Sequence, residues 1–233
     1  MTRFITILSG KGGVGKTTIA INLAAALRRL GRDVILLDAN LTTPDVGLYF
    51  GISNFPVTLN DFIKGESELN DAIYLHPRGF KVLPTGIDHN DLKYHDADFK
   101  KIFKKLQGLT EIVVIDGPTG LGKDVRDLLK HSDEILIVTN PDILSVTNAL
   151  KTSKLAEEHD STVLGVVLNN MNKSDYEMDV NSVEAMLSIP VISELDYDET
   201  ITKARIERKP LIFNYPRDET SVNIKALATK LVN

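Results

Sequence analysis

The segment Gly10-Lys11-Gly12-Gly13-Val14-Gly15-Lys16-Thr17 holds the residues in this chain best suited to chemistry. Its glycines let backbone N–H groups converge on an anion, which needs positive φ angles and close main-chain approach. Lys16 can then reach the β- and γ-phosphates of a nucleoside triphosphate, and the Thr17 hydroxyl can ligate Mg²⁺. A match to G-x-x-x-x-G-K-[ST] arises by chance in a chain this long on the order of 1 in 100 times. The same glycines also fit a dinucleotide loop, G-x-G-x-x-G, through Gly10, Gly12 and Gly15, with Asp38 ending the next strand. Two features weigh against that fit. Lys16-Thr17 supplies a charge and a metal hydroxyl that a dinucleotide loop does not use, and a second acidic strand end follows at Asp116.

Two acidic strand ends complete a phosphate site. In EIVVIDGPTG (111–120) an apolar strand ends at Asp116, where a carboxylate can hold Mg²⁺ through water. Gly117 and Gly120 would let the backbone beside the γ-phosphate change shape between ATP and ADP states. In VILLDANLTTPD (34–45), Asp38 is placed to help hold the metal or its waters. Asn40 and Asp45 can approach the attacking water from the loop that follows.

These residues need a scaffold that delivers strand ends to one edge. Short β-branched runs at Phe4–Leu8, Val34–Leu37, Lys81–Leu83, Ile112–Ile115, Ile135–Val138, Val163–Leu168 and Val191–Ile192 read as buried strands. Between them, helical patterns lie near 16–30, 98–107, 123–131, 142–158, 177–187, 197–208 and 218–231. That alternation predicts an α/β fold with a mostly parallel sheet covered on both faces. Ala72–Leu75 and Lys81–Leu83, joined across Pro77-Arg78-Gly79, predict an antiparallel hairpin at one edge. No repeat, linker or low-complexity tract divides the chain, so one domain over 1–233 is expected.

Composition narrows the function classes. A 42% hydrophobic and 25% charged chain of 233 residues can bury a substantial core. Its net charge of −5 argues against a surface devoted to nucleic acid or acidic lipid. With no cysteine, the chain has no thiolate for a disulfide, a zinc site or an iron–sulfur cluster. No apolar run approaches the ~20 residues that span a bilayer, and no signal-peptide layout opens the chain, so a cytoplasmic protein is expected. The five histidines, at 76, 89, 95, 131 and 159, show no metal-ligand spacing. HNDLKYHDAD (89–98) reads as a solvated surface loop, and KKIFKK (100–105) as a packed helix with solvated lysines, Ile102, Phe103 and Leu106 facing inward.

The motifs together resemble one family. KGGVGKTT (11–18), with a second lysine at Lys11, matches the deviant phosphate loop of the MinD/ParA ATPases. LLDAN (36–40), VVIDGPTG (113–120), VTNPD (138–142) and GVVLNN (165–170) extend the resemblance over nearly the whole chain, with order and spacing most similar to MinD and archaeal MinD-like proteins. The resemblance implies a seven- or eight-stranded P-loop NTPase fold of the SIMIBI type. It also implies an ATP-sandwich homodimer in which Lys11 reaches the partner subunit's nucleotide, Thr18 contacts a phosphate and Asn169 hydrogen-bonds the adenine edge. A trans-acting cation can stabilise charge on the transferred phosphoryl group, as an arginine finger does.

Two departures from the family pattern matter. The family typically carries an acid where this chain has Asn40, and an amide orients water but is a far weaker base than a carboxylate. Slow hydrolysis is therefore expected, with Asp45 as substitute acid. At the C-terminus, SVNIKALATKLVN (221–233) places Val222, Ile224, Leu227 and Leu231 at helical spacing with few lysines, which predicts core packing and not stable membrane anchoring. The leading expectation is an ATP-dependent dimerisation switch that engages an unidentified protein partner and is recruited through it to a membrane or cell pole. Such switches serve spatial positioning of division, chromosome, flagellar or chemotaxis machinery. The alternatives are an ATP-binding scaffold with negligible hydrolysis and a P-loop small-molecule kinase or ligase. Lys11 disfavours the last, which needs an acceptor pocket and no trans-acting lysine.

Overall fold

A computed structural model describes residues 2–87 and 98–232. The chain begins with strand β1 (Arg3–Ser9), which feeds helix α1 (Lys16–Arg29) and then β2 (Val34–Asp38). Helices α2 (Val46–Tyr49) and α3 (Leu59–Lys64) lead through a 3₁₀ turn at Leu69–Ala72 to the hairpin β3 (Tyr74–Leu75) and β4 (Lys81–Leu83). Helix α4 (Phe99–Leu106) precedes three strand–helix pairs: β5 (Ile112–Thr119) with α5 (Lys123–Leu129), β6 (Glu134–Thr139) with α6 (Ile143–Glu157), and β7 (Thr162–Met171) with α7 (Val180–Leu187). Strand β8 (Val191–Asp196) and helices α8 (Glu199–Ile206), α9 (Leu211–Asn214) and α10 (Glu219–Val232) complete it.

The eight strands form one sheet in the order β3-β4-β2-β5-β1-β6-β7-β8. Only β3 runs antiparallel, against β4. The predicted α/β class, the parallel sheet and the edge hairpin are all present. Alternate residues of the central strands feed two cores. Phe4, Leu8, Ile35, Leu37, Val113 and Ile115 pack on one face with α3 to α7, while Ile5, Ile7, Val34, Leu36, Ile112 and Val114 pack on the other with α1 and α10. Burial on both faces is why these strands read as continuous apolar runs.

Several predicted boundaries move for physical reasons. Ala72 closes the 3₁₀ turn and is not in the hairpin strand. Strand β5 does not stop before Asp116 but continues to Thr119. Ile7 pairs with Asp116 and Ser9 with Thr119, so β5 carries one extra residue there, a bulge beside the site. Strand β7 likewise runs past Leu168, so Asn169 is a strand residue and not the turn residue its position after an apolar run allows. In α10, Ile224, Leu227 and Leu231 are buried, but Val222 is 49% exposed and does not join the predicted core stripe. Ile102, Phe103 and Leu106 of α4 are buried as predicted. Of the predicted surface loop 89–98, all but Asp98 lies outside the described residues, as do His89 and His95. Among the described residues no helix is long and apolar enough to cross a membrane.

Candidate functional site

The connection from β1 to α1 lies at the carboxyl edge of the sheet between β5 and β6. Chain order reverses there, which is where open α/β sheets bind ligands. Gly13 and Gly15 both take positive φ, 81° and 97°. Gly15 is further confined because a Cβ would come within 2.3 Å of Asn169 Nδ2. Helix α1 opens at Lys16 with no acidic residue in its first turn and no side-chain cap, so its N–H groups and dipole face the loop.

A cavity of about 440 Å³ opens over this loop. Of the residues singled out by sequence, Gly12, Gly13, Gly15, Lys16, Thr17, Thr18, Asn40 and Asp45 line it. The others stand behind it. Gly10 passes under the Asn148 backbone, whose carbonyl oxygen a Cβ would meet at 2.5 Å. Val14 is buried, and its carbonyl accepts from Asn169 Nδ2 at 2.8 Å. Gly117 lies in the β5 bulge against Leu8 and Ile7, and Gly120 donates its N–H to the Ser9 carbonyl. Lys11 turns toward the start of α6, where Nζ donates to Ser145 Oγ at 3.2 Å and lies 3.6 Å from Asp142.

Asp38 and Asp116 form the buried floor. The two residues are register partners on β2 and β5, both with no solvent exposure. Lys16 Nζ bonds Asp116 Oδ1 at 2.6 Å, leaving both side chains almost fully enclosed. Asp38 accepts the backbone N–H groups of Asn40 and Val46, both at 3.1 Å. Burial, then the Asp116 charge, pushes the Asp38 carboxyl up to about 8, against the opposing pull of those bonds and of Lys16. Asp45, half-buried, is raised for the same two reasons, burial first.

Asn40 is held in place. Its Nδ2 donates to the Thr43 carbonyl at 2.7 Å and to Thr43 Oγ1 at 3.0 Å, and its Oδ1 accepts from the Thr43 N–H. Sequence reasoning missed Ser9, Thr43, Leu48, Tyr49, Thr119 and Arg205 as lining residues. Thr43 lay in a loop already singled out. Arg205 carried no signal, because only packing brings α8 beside α2.

The unequal charges permit a test. Asp38 ionises near pH 4 in the unfolded chain but near 8 when folded. Its contribution to stability is therefore complete below about pH 4 and lost as pH rises toward 8. Urea unfolding of the nucleotide- and metal-free protein should show stability falling by a few kcal/mol through that window from this group. Asp38→Asn should flatten the slope; an unchanged slope would remove Asp38 as its source.

The residues present fit a triphosphate with a divalent cation. Asp38 and Asp45 each feel the Asp116 charge, around the single charge of Lys16. Ser9 Oγ and Asp116 Oδ2 are buried without a hydrogen-bond partner. Among the described residues no three His, Cys, Asp or Glu side chains form a metal cage by themselves.

A glycine-rich anion cradle at a helix N-terminus, on a doubly wound sheet, defines the class of P-loop nucleotide-binding proteins. The chain belongs to the CobQ/CobB/MinD/ParA nucleotide-binding domain family, which it matches over residues 5–211. It is 34% identical to an uncharacterized ATP-binding protein of Methanocaldococcus jannaschii, over 98% of this chain and 87% of that one. Its fold is similar to the septum site-determining protein MinD of Pyrococcus horikoshii complexed with Mg-ADP, with a TM-score of 0.94, 29% identity, and coverage of 100% and 97%. It is similar too to the cell division ATPase MinD of Pyrococcus furiosus, with a TM-score of 0.92, 32% identity, and coverage of 99% and 98%.

Proposed function

We propose that the whole chain acts as one MgATP-binding domain, an ATP-dependent dimerisation switch that hydrolyses ATP slowly and serves spatial positioning in cell division or a related process. The observation that carries this reading is Lys11 at the mouth of the phosphate loop, exposed with Gly12 and Gly13 and held only at the edge of α6. The Pyrococcus relatives, a cell division ATPase and a Mg-ADP complex, support the process and the ligand.

In this reading the loop N–H groups and the α1 N-terminus bind the phosphates. Lys16 leaves Asp116 for the β- and γ-oxygens, and Thr17 Oγ1, Asp38 and Asp116 are the groups that would hold Mg²⁺ or its waters. Mg²⁺, when bound, would neutralise charge on the phosphates. Asn169 orients the adenine edge and Thr18 a phosphate, while Gly117 and Gly120 let β5 adjust. Lys11 swings from Asp142 to the second subunit's nucleotide. Ile143 and Leu144, 57% and 67% exposed beside it, are the apolar surface that a second copy covers. The protein is cytoplasmic in this scheme, and a protein partner directs it to a membrane or pole.

The three hydrogen bonds that tie Asn40 to Thr43 favour slow turnover and lend weight to a second reading, an ATP-binding scaffold with negligible hydrolysis. A carboxylate at 40 would face the Thr43 carbonyl, reopen the loop and offer a general base. Asn40→Asp should raise single-turnover hydrolysis by about 10-fold or more, and Asp45→Ala should lower it by a similar factor with little change in ATP affinity. Rates unaffected by both would take the water-positioning role away from this loop. Size-exclusion of ATP- and ADP-bound protein beside single-turnover hydrolysis separates the readings. A monomer under both nucleotides would defeat the switch, and dimerisation without hydrolysis would leave the scaffold.

A further inference from the structure

A second cavity, of about 580 Å³, opens on the far side of α2 and α8 from the phosphate loop, against the β3–β4 edge of the sheet. Its walls are aromatic and aliphatic: Phe50, Phe55, Tyr74 and Val82 line it together with the His76 ring. The Phe55 and Tyr74 rings lie 5.0 Å apart, as do those of Phe50 and His76, and His76 stacks on Phe80 at 4.4 Å. Burial, then Arg78, holds the His76 imidazole below its usual range, so the ring joins this wall uncharged. Two apolar side chains, Ile52 and Leu75, border the opening at 43% and 71% exposure.

The rim is cationic although the chain as a whole is acidic. Arg78, Arg208 and Lys209 all border the cavity. Arg78 lies over the Phe213 ring, 5.1 Å from its centroid, and Arg208 runs along Gly51. None of the three has a carboxylate within 4.0 Å among the described residues. The neighbouring acid, Glu207, is held by Asn214 and Tyr215. A concave apolar pocket ringed by unpaired cations is complementary to a ligand with an apolar anchor and flanking negative charge. A nucleic acid or a lipid surface would need a broad basic face, which a chain of net charge −5 does not favour.

We propose that this cavity is a docking site for an acidic segment of a partner protein. One bulky apolar side chain of that segment seats among the rings while its carboxylates meet Arg78, Arg208 and Lys209. The site shares two of its walls with the nucleotide site. Leu48 and Tyr49 of α2 line the nucleotide cavity, and Phe50 and Ile52, next in the chain, line this one. Arg205 of α8 lines the nucleotide cavity, and Arg208, just past the end of that helix, lines this one. Tyr49 OH also donates to the Lys209 carbonyl at 3.4 Å, tying the two walls together. Docking is therefore coupled to nucleotide state. That coupling rests on the switch reading; docking itself does not.

The test is selection of a random 12-residue peptide display library on the full chain, followed by affinity measurement of the enriched peptides. The expected peptides pair Asp or Glu with Phe, Trp, Leu or Ile. Arg208→Glu with Lys209→Glu, and separately Leu75→Glu, all at exposed positions, should each weaken them at least 10-fold. No enrichment, enrichment of peptides without acids, or affinity unchanged in both variants would overturn the proposal. So would vesicles of phosphatidylglycerol that bind the chain through the same residues and exclude the peptides. MgATP should shift peptide affinity by about 5-fold or more, and an unchanged affinity would overturn the coupling. MgADP titration of the same preparation keeps the readings apart, since failure there sinks the nucleotide function and leaves docking to be judged on the peptides.

Discussion

Lys16→Ala is expected to weaken MgATP binding at least about 100-fold, the equivalent of roughly 3 kcal/mol of charge-assisted hydrogen bonding. Hydrolysis should fall by about 10³-fold, because charge on the transferred phosphoryl group loses its nearest cation. The same substitution should also destabilise the nucleotide-free protein, an effect that a surface lysine would not show. Lys16 and Asp116 are paired at 2.6 Å with side chains 4% and 1% exposed, and removing one partner of such a pair costs about 3–5 kcal/mol. For a domain of this size that is a loss of about 10 °C in melting temperature. The penalty comes from a carboxylate left without its cation in a dry place. Lys16→Ala with Asp116→Asn separates the two effects. Stability should return in the double variant while nucleotide binding does not. Calorimetric titration and thermal melting check both parts, and a double variant as unstable as the single one would refute the ion-pair explanation.

Lys11→Ala is expected to do nearly the opposite. Lys11 makes only edge contacts with Ser145 and Asp142 and is 44% exposed, so melting temperature should hold within about 2 °C. Nucleotide affinity should change by less than about 3-fold, because Lys16 and the loop N–H groups remain. Turnover should fall about 10²- to 10³-fold, and ATP should no longer convert monomer to dimer. Sedimentation velocity with ATP and with ADP, beside steady-state hydrolysis, measures these effects. Full activity in a monomeric Lys11→Ala protein would remove this lysine from a trans role. The contrast between two lysines five residues apart is the sharpest consequence of the loop: one is buried against Asp116 and the other is 44% exposed at its mouth.

The parts of the fold that were legible in the sequence share a cause. Strands β1, β2, β5, β6 and β7 are buried on both faces, so each is an uninterrupted β-branched run that can be read without a partner. The phosphate loop was legible because positive φ and close approach leave almost no choice but glycine at a position such as Gly15. Elements of four residues, such as α2 and α9, were not legible, since one helical turn carries too little periodicity. The ends of β5 and β7 were misplaced because polar residues there are paired by neighbouring strands, a reason found outside the local sequence.

The sequence by itself determined the class of the protein, the cradle and which side chains are equipped for phosphate chemistry. Those properties depend on local backbone geometry and residue type, both written in consecutive residues. Tertiary structure alone decided how that chemistry is arranged. It closed Asp116 onto Lys16, lifted the Asp38 carboxyl by burial beside a second acid, tied Asn40 to Thr43 and placed Asn169 beneath Gly15. It also brought α8 against α2, so that Arg205 reached the nucleotide cavity and Arg208 a second one. Burial, charge proximity and the meeting of distant helices are set by packing across the sheet, and no short stretch of sequence contains both sides of such a contact.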